Sequence, residues 1–143
     1  MKLEEVKPRR WSHLRILFEQ GDSGIVSGNY DGNERRVIGL RYNGEGNAVG
    51  YPSARGYPTF FQFFALPDLE CALLSALEKI VSDDPDLDNK YGQAIREELA
   101  VFNKQRIEAI ERRVRAQVEA EFKDEMERKI QEQIQKSLAR ESE

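Results

Sequence analysis

Residues 50–66 read GYPSARGYPTFFQFFAL, a polar half built on a small repeat followed by the most apolar run in the chain. Gly50-Tyr51-Pro52-Ser53 and Gly56-Tyr57-Pro58-Thr59 stand six residues apart. Each proline fixes its own φ and biases the tyrosine before it toward extended geometry. Each glycine permits a turn just ahead of that pair. Two similar bends are expected, carrying Tyr51 and Tyr57 with Arg55 between them. From Thr59 the pattern becomes a strand over 59–66, with Phe60 and Phe64 on one face and Phe61 and Phe63 on the other. Aromatics on both faces call for cover on both sides, and so apolar a strand at a free edge would template aggregation. A central position, or one beneath a helix, is therefore expected.

Working upstream, residues 43–58 form a loop with four glycines and two prolines, longer than hairpin connections usually are and so a candidate for function. Before it, 35–42 (RRVIGLRY) places Ile38, Leu40 and Tyr42 on one face and Arg35, Val37 and Arg41 on the other. Asp31-Gly32 is a hairpin signal, since both residues tolerate positive φ. Residues 25–30 (IVSGNY) make a weaker strand, in which Gly28 suggests a bulge or a close backbone approach. In 12–19, Leu14, Ile16 and Phe18 alternate with His13, Arg15 and Glu19, the period of a half-buried strand. Residues 1–11 are mostly charged and read as a mobile arm.

Working downstream, Pro67-Asp68 opens a helix over 68–81, with Asp68 as its cap. Leu69, Leu73, Ala76, Leu77 and Ile80 form the stripe expected to pack on the sheet. No proline follows Pro85 and no glycine follows Gly92, so 85–143 reads as a long helical extension. Ile95, Leu99, Phe102 and Ile107 are placed to pack on the preceding domain. Then Ile110, Val114, Val118, Phe122, Met126, Ile130, Ile134 and Leu138 recur every four residues. Each such step advances the stripe about 40° around a straight helix, so seven steps rotate it about 280°. A left-handed coiled coil needs a period of about 3.5 residues and cannot use this series as one seam. The stripe must span more than one partner, the helix must break and reverse, or its tip must fray.

The expected fold is α+β: a four-stranded antiparallel sheet (12–19, 25–30, 35–42, 59–66) packed by the 68–81 helix in residues 1–84, then the helical extension 85–143. Hydrophobic residues are 39% and charged residues 34% of the chain, consistent with a modest core plus a solvated element. The net charge of −4 is unevenly spread, since 1–66 carries nine Lys/Arg against seven Asp/Glu and 67–143 carries thirteen against nineteen. A single cysteine, Cys71, excludes an internal disulfide and any cysteine-rich zinc site. The first residues lack an apolar signal core, and no run reaches membrane-spanning length, so a cytoplasmic protein without a membrane partner is expected.

Enzyme signatures are missing: there is no phosphate loop, no dinucleotide fingerprint, and only His13 to pair with Cys71. Asp84, Asp86 and Asp88 have the opening spacing of a calcium loop, but Asn89 and Ile95 stand where its glycine and its glutamate belong. No catalytic residue, cofactor or metal is assigned. Arginines beside aromatics are the composition of protein interaction hot spots and also of single-strand nucleic-acid grooves. The favoured expectation is a non-enzymatic interaction protein. It would self-associate as a homo-oligomer, or dock on another protein, through Ile110–Leu138, and bind a partner with Arg41, Tyr51, Arg55 and Tyr57. The alternative is a nucleic-acid-binding module using Arg9, Arg10, Trp11, Arg41 and Arg55.

Overall fold

The computed structural model describes residues 1–142. It resolves into two compact units, Met1–Arg106 and Ile107–Glu143. The first unit is an α+β domain whose strands are β1 (Trp11–Gln20), β2 (Ser23–Tyr30), β3 (Arg36–Tyr42), β4 (Ser53–Ala54), β5 (Tyr57–Pro58) and β6 (Phe61–Gln62). Four of these form one antiparallel sheet in the order β1-β2-β3-β6, and β4 and β5 pair as a separate hairpin. The helices are α1 (Pro67–Ser82), the short α2 (Pro85–Leu87) and, after a π-turn at Asp88–Gly92, α3 (Gln93–Glu141).

Residues of both sheet faces are buried, in two clusters. One joins Leu17 and Ile38 to Cys71, Leu74, Leu77 and Val81 of α1, Tyr91, and Ile95 and Phe102 of α3. The other gathers Trp11, Val26, Val37 and Phe60 with Leu3 and Val6. The expected mobile arm is thus part of the core. A single 3-10 turn at Leu3–Glu5 buries Leu3, whose N–H donates to Glu19 Oε1 at 3.0 Å. Apolar Leu3 and Val6 in a charged context are too sparse to form a periodic signal.

Two register shifts interrupt β1, between Ser12 and Arg15 and between Ile16 and Phe18, and His13 sits at φ 52°. Bulges of this kind reset the alternation of faces. Leu14 packs with the Trp11 cluster, Phe18 with the helical one, Ile16 touches both, and Leu17 becomes fully buried. The expected single face of Leu14, Ile16 and Phe18 does not exist. Gly28 does mark a close approach: a Cβ there would lie 3.0 Å from Leu14 and 3.1 Å from the Ser12 carbonyl. Asp31 and Gly32 take positive φ, but the turn spans 31–35 and is closed by Asn29 Nδ2, which donates to the Asn33 and Glu34 carbonyls at 3.0 Å.

The aromatic strand is the largest departure from the expected sheet. Strand geometry is confined to Phe61–Gln62 at the sheet edge rather than 59–66 at its centre. The remainder must leave the sheet to enter α1 at Pro67. Each face therefore takes only one aromatic: Phe60 is buried in the Trp11 cluster and Phe63 packs on the helical one, while Phe61 and Phe64 are exposed.

In α1 the cap position is Leu66, with proline at the first turn, and Asp68 pairs with Arg106 at 2.7 Å instead of capping. The buried face is Glu70, Cys71, Leu74, Leu77 and Val81. Leu69 and Ile80 of the expected stripe lie outside, and Leu73 is half-buried. Asp84 caps α2, accepting from the Asp86 and Leu87 N–H groups at 3.0 and 3.3 Å. Asp88 pairs with Arg96 at 2.9 Å. The acidic run thus has capping and pairing roles.

The first unit runs to Arg106 instead of ending at 84, because Ile95, Leu99 and Phe102 belong to its core; Ile107 is exposed. The uneven charge has a structural use. Arg15 pairs with Glu97, Arg35 with Glu70, and Arg36 Nε with Glu98 Oε2 at 2.9 Å. Gln105 accepts from the Arg36 N–H at 2.8 Å and donates to its carbonyl at 3.1 Å. Basic strands and acidic helices thus meet across the first unit.

Taken by itself, the second unit is helix through Glu141, and every residue from Ile110 to Ser142 is exposed. The helix neither breaks nor reverses. No helix among the described residues is long and apolar enough to cross a membrane.

Candidate interaction surfaces

Arg41 is the hub of the 43–58 loop and is withdrawn from its surface. It points inward from β3 at 3% exposure. Its Nε donates to Asn43 Oδ1 at 2.9 Å and one terminal nitrogen to the Thr59 carbonyl at 2.8 Å. The other terminal nitrogen donates to the Val49 carbonyl. Asn43 in turn donates to Glu19 Oε1 at 3.2 Å. Burial pulls the Arg41 pKa below the ordinary arginine value. A planar guanidinium with five fixed donors can tie several carbonyls at once, and here it fastens both ends of the loop. Gly50 lies against it: a Cβ there would stand 2.6 Å from the guanidinium and 2.4 Å from the Tyr42 carbonyl. Arg41 is therefore a structural residue, unavailable to a protein partner or to a phosphate.

The Gly-Tyr-Pro units become different structures. Tyr51 bridges to Tyr42 by reciprocal backbone hydrogen bonds of 2.7 Å, which extends β3 by one pair. Its ring packs on Phe61 at 4.9 Å between centroids, so it partly lids the exposed edge. Tyr57 lies in β5 and is 76% exposed. Between them Ser53–Ala54 pairs with Tyr57–Pro58 around Arg55-Gly56, at φ 52° and 79°. Positive φ at both central positions is the geometry of a tight primed hairpin turn. Arg55 is thus held at the tip of a defined hairpin, with Tyr57 beside it on the return strand. Of the expected partner-binding residues Arg41, Tyr51, Arg55 and Tyr57, the last three stay exposed.

The nucleic-acid constellation loses two members. Arg41 is buried, and Trp11 is 6% exposed, packed edge-on against Tyr30 and Phe60 at 5.4 Å each. A stacking platform needs an open ring face. Arg9, Arg10 and Arg55 remain exposed, with Arg10 near the Tyr30 hydroxyl at 3.4 Å. Arg35 and Arg36, which enriched the basic character of this half, are spent on Glu70 and Glu98.

Cys71 lies in the helical core, where burial pushes its thiol pKa up and leaves it a weaker nucleophile. His13 occupies the exposed bulge of β1 and lines an open groove with Asn29, Glu34 and Arg36. In that groove Asn29 and Arg36 already have internal partners.

Among the described residues two further apolar surfaces are exposed. One is the outer face of α1 and the segment before it, with Phe64, Leu66, Leu69 and Ile80 all at least 45% exposed. Helix α1 carries two overlapping apolar stripes, and of the stripe expected inside Leu77 is buried and Leu73 half-buried while Leu69, Ala76 and Ile80 lie outside. The competing series Cys71, Leu74, Leu77 and Val81 was visible at equally good helical spacing. The other surface is the Ile110–Leu138 series, whose eight members are 36% to 65% exposed. On a straight helix these residues make one continuous i±4n row, a ridge in the sense used for helix packing. No family model matches the chain, and neither a curated protein nor a solved structure matches it.

Proposed function

We propose that this protein is a non-enzymatic interaction module that associates with copies of itself through the second unit and offers the β4–β5 hairpin to a protein partner. The observation that carries the reading is the exposed eight-residue ridge on an unbroken helix. Fully burying one such side chain contributes about 1.5–3 kcal/mol before the costs of association. The flanking positions mix both signs, with Glu111, Arg115, Glu119 and Lys123 on one side and Arg113, Glu121, Glu125 and Lys129 on the other. The hairpin tip contributes Arg55 and Tyr57, residue types enriched at binding hot spots, on a frame that Arg41 already holds.

Sedimentation of the full chain over a range of concentrations tests the first half. Replacing Val118, Phe122 and Met126 with serine should lower the mass while the far-ultraviolet spectrum and melting of the first unit persist. A wild-type chain that sediments as a monomer throughout refutes self-association. For the hairpin, Arg55→Ala with Tyr57→Ala should abolish partner binding with an unchanged melting temperature. A marked fall in melting temperature instead assigns these residues a structural role.

A further inference from the structure

The direction of the ridge limits how copies can meet. We infer that the second unit assembles with more than one neighbour at once, giving a bundle of at least three copies of this chain in which helices cross steeply. This rests on the self-association reading above and deepens it.

The helix runs unbroken through Glu141. Because it does not reverse, Ile110 and Ile130 cannot be brought onto one side by a bend in the chain. Five steps of about 40° carry the row about 200° around the axis from Ile110 to Ile130, which puts them on opposite sides, and the whole row sweeps about 280°. An apolar face packed against one neighbouring helix is on the order of 100° wide. One straight neighbour therefore covers three or four consecutive members, such as Ile110, Val114 and Val118, and leaves Ile130 and Ile134 on the far side. Two neighbours on different sides are needed to cover both halves of the row.

The occupant follows from shape. An i±4n ridge packs best between the i±4n ridges of another helix, at an interaxial angle near −50°. A partner must present the same kind of row, and the segment on hand that does so is Ile110–Leu138 of another copy. The area agrees. Each half-exposed ridge side chain offers on the order of 100 Å² of apolar surface. A single crossing then buries about 400 Å² per chain, half of the ~800 Å² per partner of a stable interface. Covering all eight residues with two neighbours brings the total buried by each chain to about 800 Å²; covering four leaves half of that.

The test is the mass of the full-length chain by sedimentation equilibrium or native mass spectrometry, for the wild type and for two variants. Val114→Ser with Val118→Ser removes the first half of the ridge, and Ile130→Ser with Ile134→Ser removes the second. The wild type should form a species of at least three chain masses. Each half-ridge variant should lose the full assembly and dissociate toward the monomer at concentrations where the wild type stays assembled, and the four-site combination should be monomeric. A wild type that stops at a discrete dimer overturns the bundle while leaving self-association intact. A monomeric wild type overturns both. A half-ridge variant that keeps the full mass also overturns the inference, because a single seam weakened along its length would behave that way. The spectrum of the first unit reports that each variant is still folded.

Discussion

Helix α3 contains two regions of like composition and opposite fate. In 93–106 the apolar residues Ile95, Leu99 and Phe102 are spaced by four and then three. Those steps sum to seven, about two turns, so the row stays over one side of the helix. Ile95 and Phe102 are fully buried there, and Leu99 packs against the same cluster. From Ile110 onward every step is four, the row walks around the axis, and no described residue is buried. The contrast teaches that apolar content does not decide burial in a helix; the phase of the pattern against one neighbour does.

The sharpest way to break this comparison is to make the same substitution in both regions. Phe102→Ala should cost about 3–5 kcal/mol of first-unit stability, read as a lowered urea midpoint, since it opens a cavity beneath the sheet. Phe122→Ala should leave that midpoint unchanged in dilute solution and lower only the assembly mass. Equal midpoint losses would show that the 107–141 segment is part of the cooperative core and would dissolve the distinction.

The arginines of the loop offer the same contrast on a smaller scale. Arg41→Ala orphans the Val49 and Thr59 carbonyls and Asn43 Oδ1, with an expected loss of about 2–4 kcal/mol and faster amide exchange across 43–58. Arg55→Ala at the hairpin tip should leave the midpoint in place. If Arg41→Ala were as mild as Arg55→Ala, the loop would be held by its backbone pairs and not by the guanidinium.

The smallest effect concerns the glutamates. Glu70 is fully buried; burial raises its pKa above the ordinary glutamate value, and Arg35 partly opposes that rise. A carboxyl whose folded pKa is raised binds its proton more tightly in the native state than in the unfolded chain. Its stabilising contribution is therefore present below the ordinary glutamate pKa and is lost as pH rises through the raised value. Wild type should lose stability relative to Glu70→Gln as pH climbs from the ordinary glutamate range toward neutrality. A difference that is flat with pH would mean that the Glu70 pKa is not raised by folding.

Sequence alone determined the features that depend on backbone geometry near the residue. The strands at Trp11–Gln20, Ser23–Tyr30 and Arg36–Tyr42, the helix α1, the positive φ of Gly32, Gly50 and Gly56, and the four-residue step after Ile110 all follow from local periodicity or from steric rules of single residues. Tertiary structure decided which of two adequate faces met the core. It chose Cys71, Leu74 and Val81 over Leu69 and Ile80, and placed Phe60 inside and Phe64 outside. It drew Leu3 and Val6 from a charged arm onto the second sheet face, and turned Arg41 inward to bind a loop eight and eighteen residues away. The physical reason is that a residue's periodicity is set by its own chain, whereas its burial is set by what stands opposite, and the opposing surface comes from distant sequence.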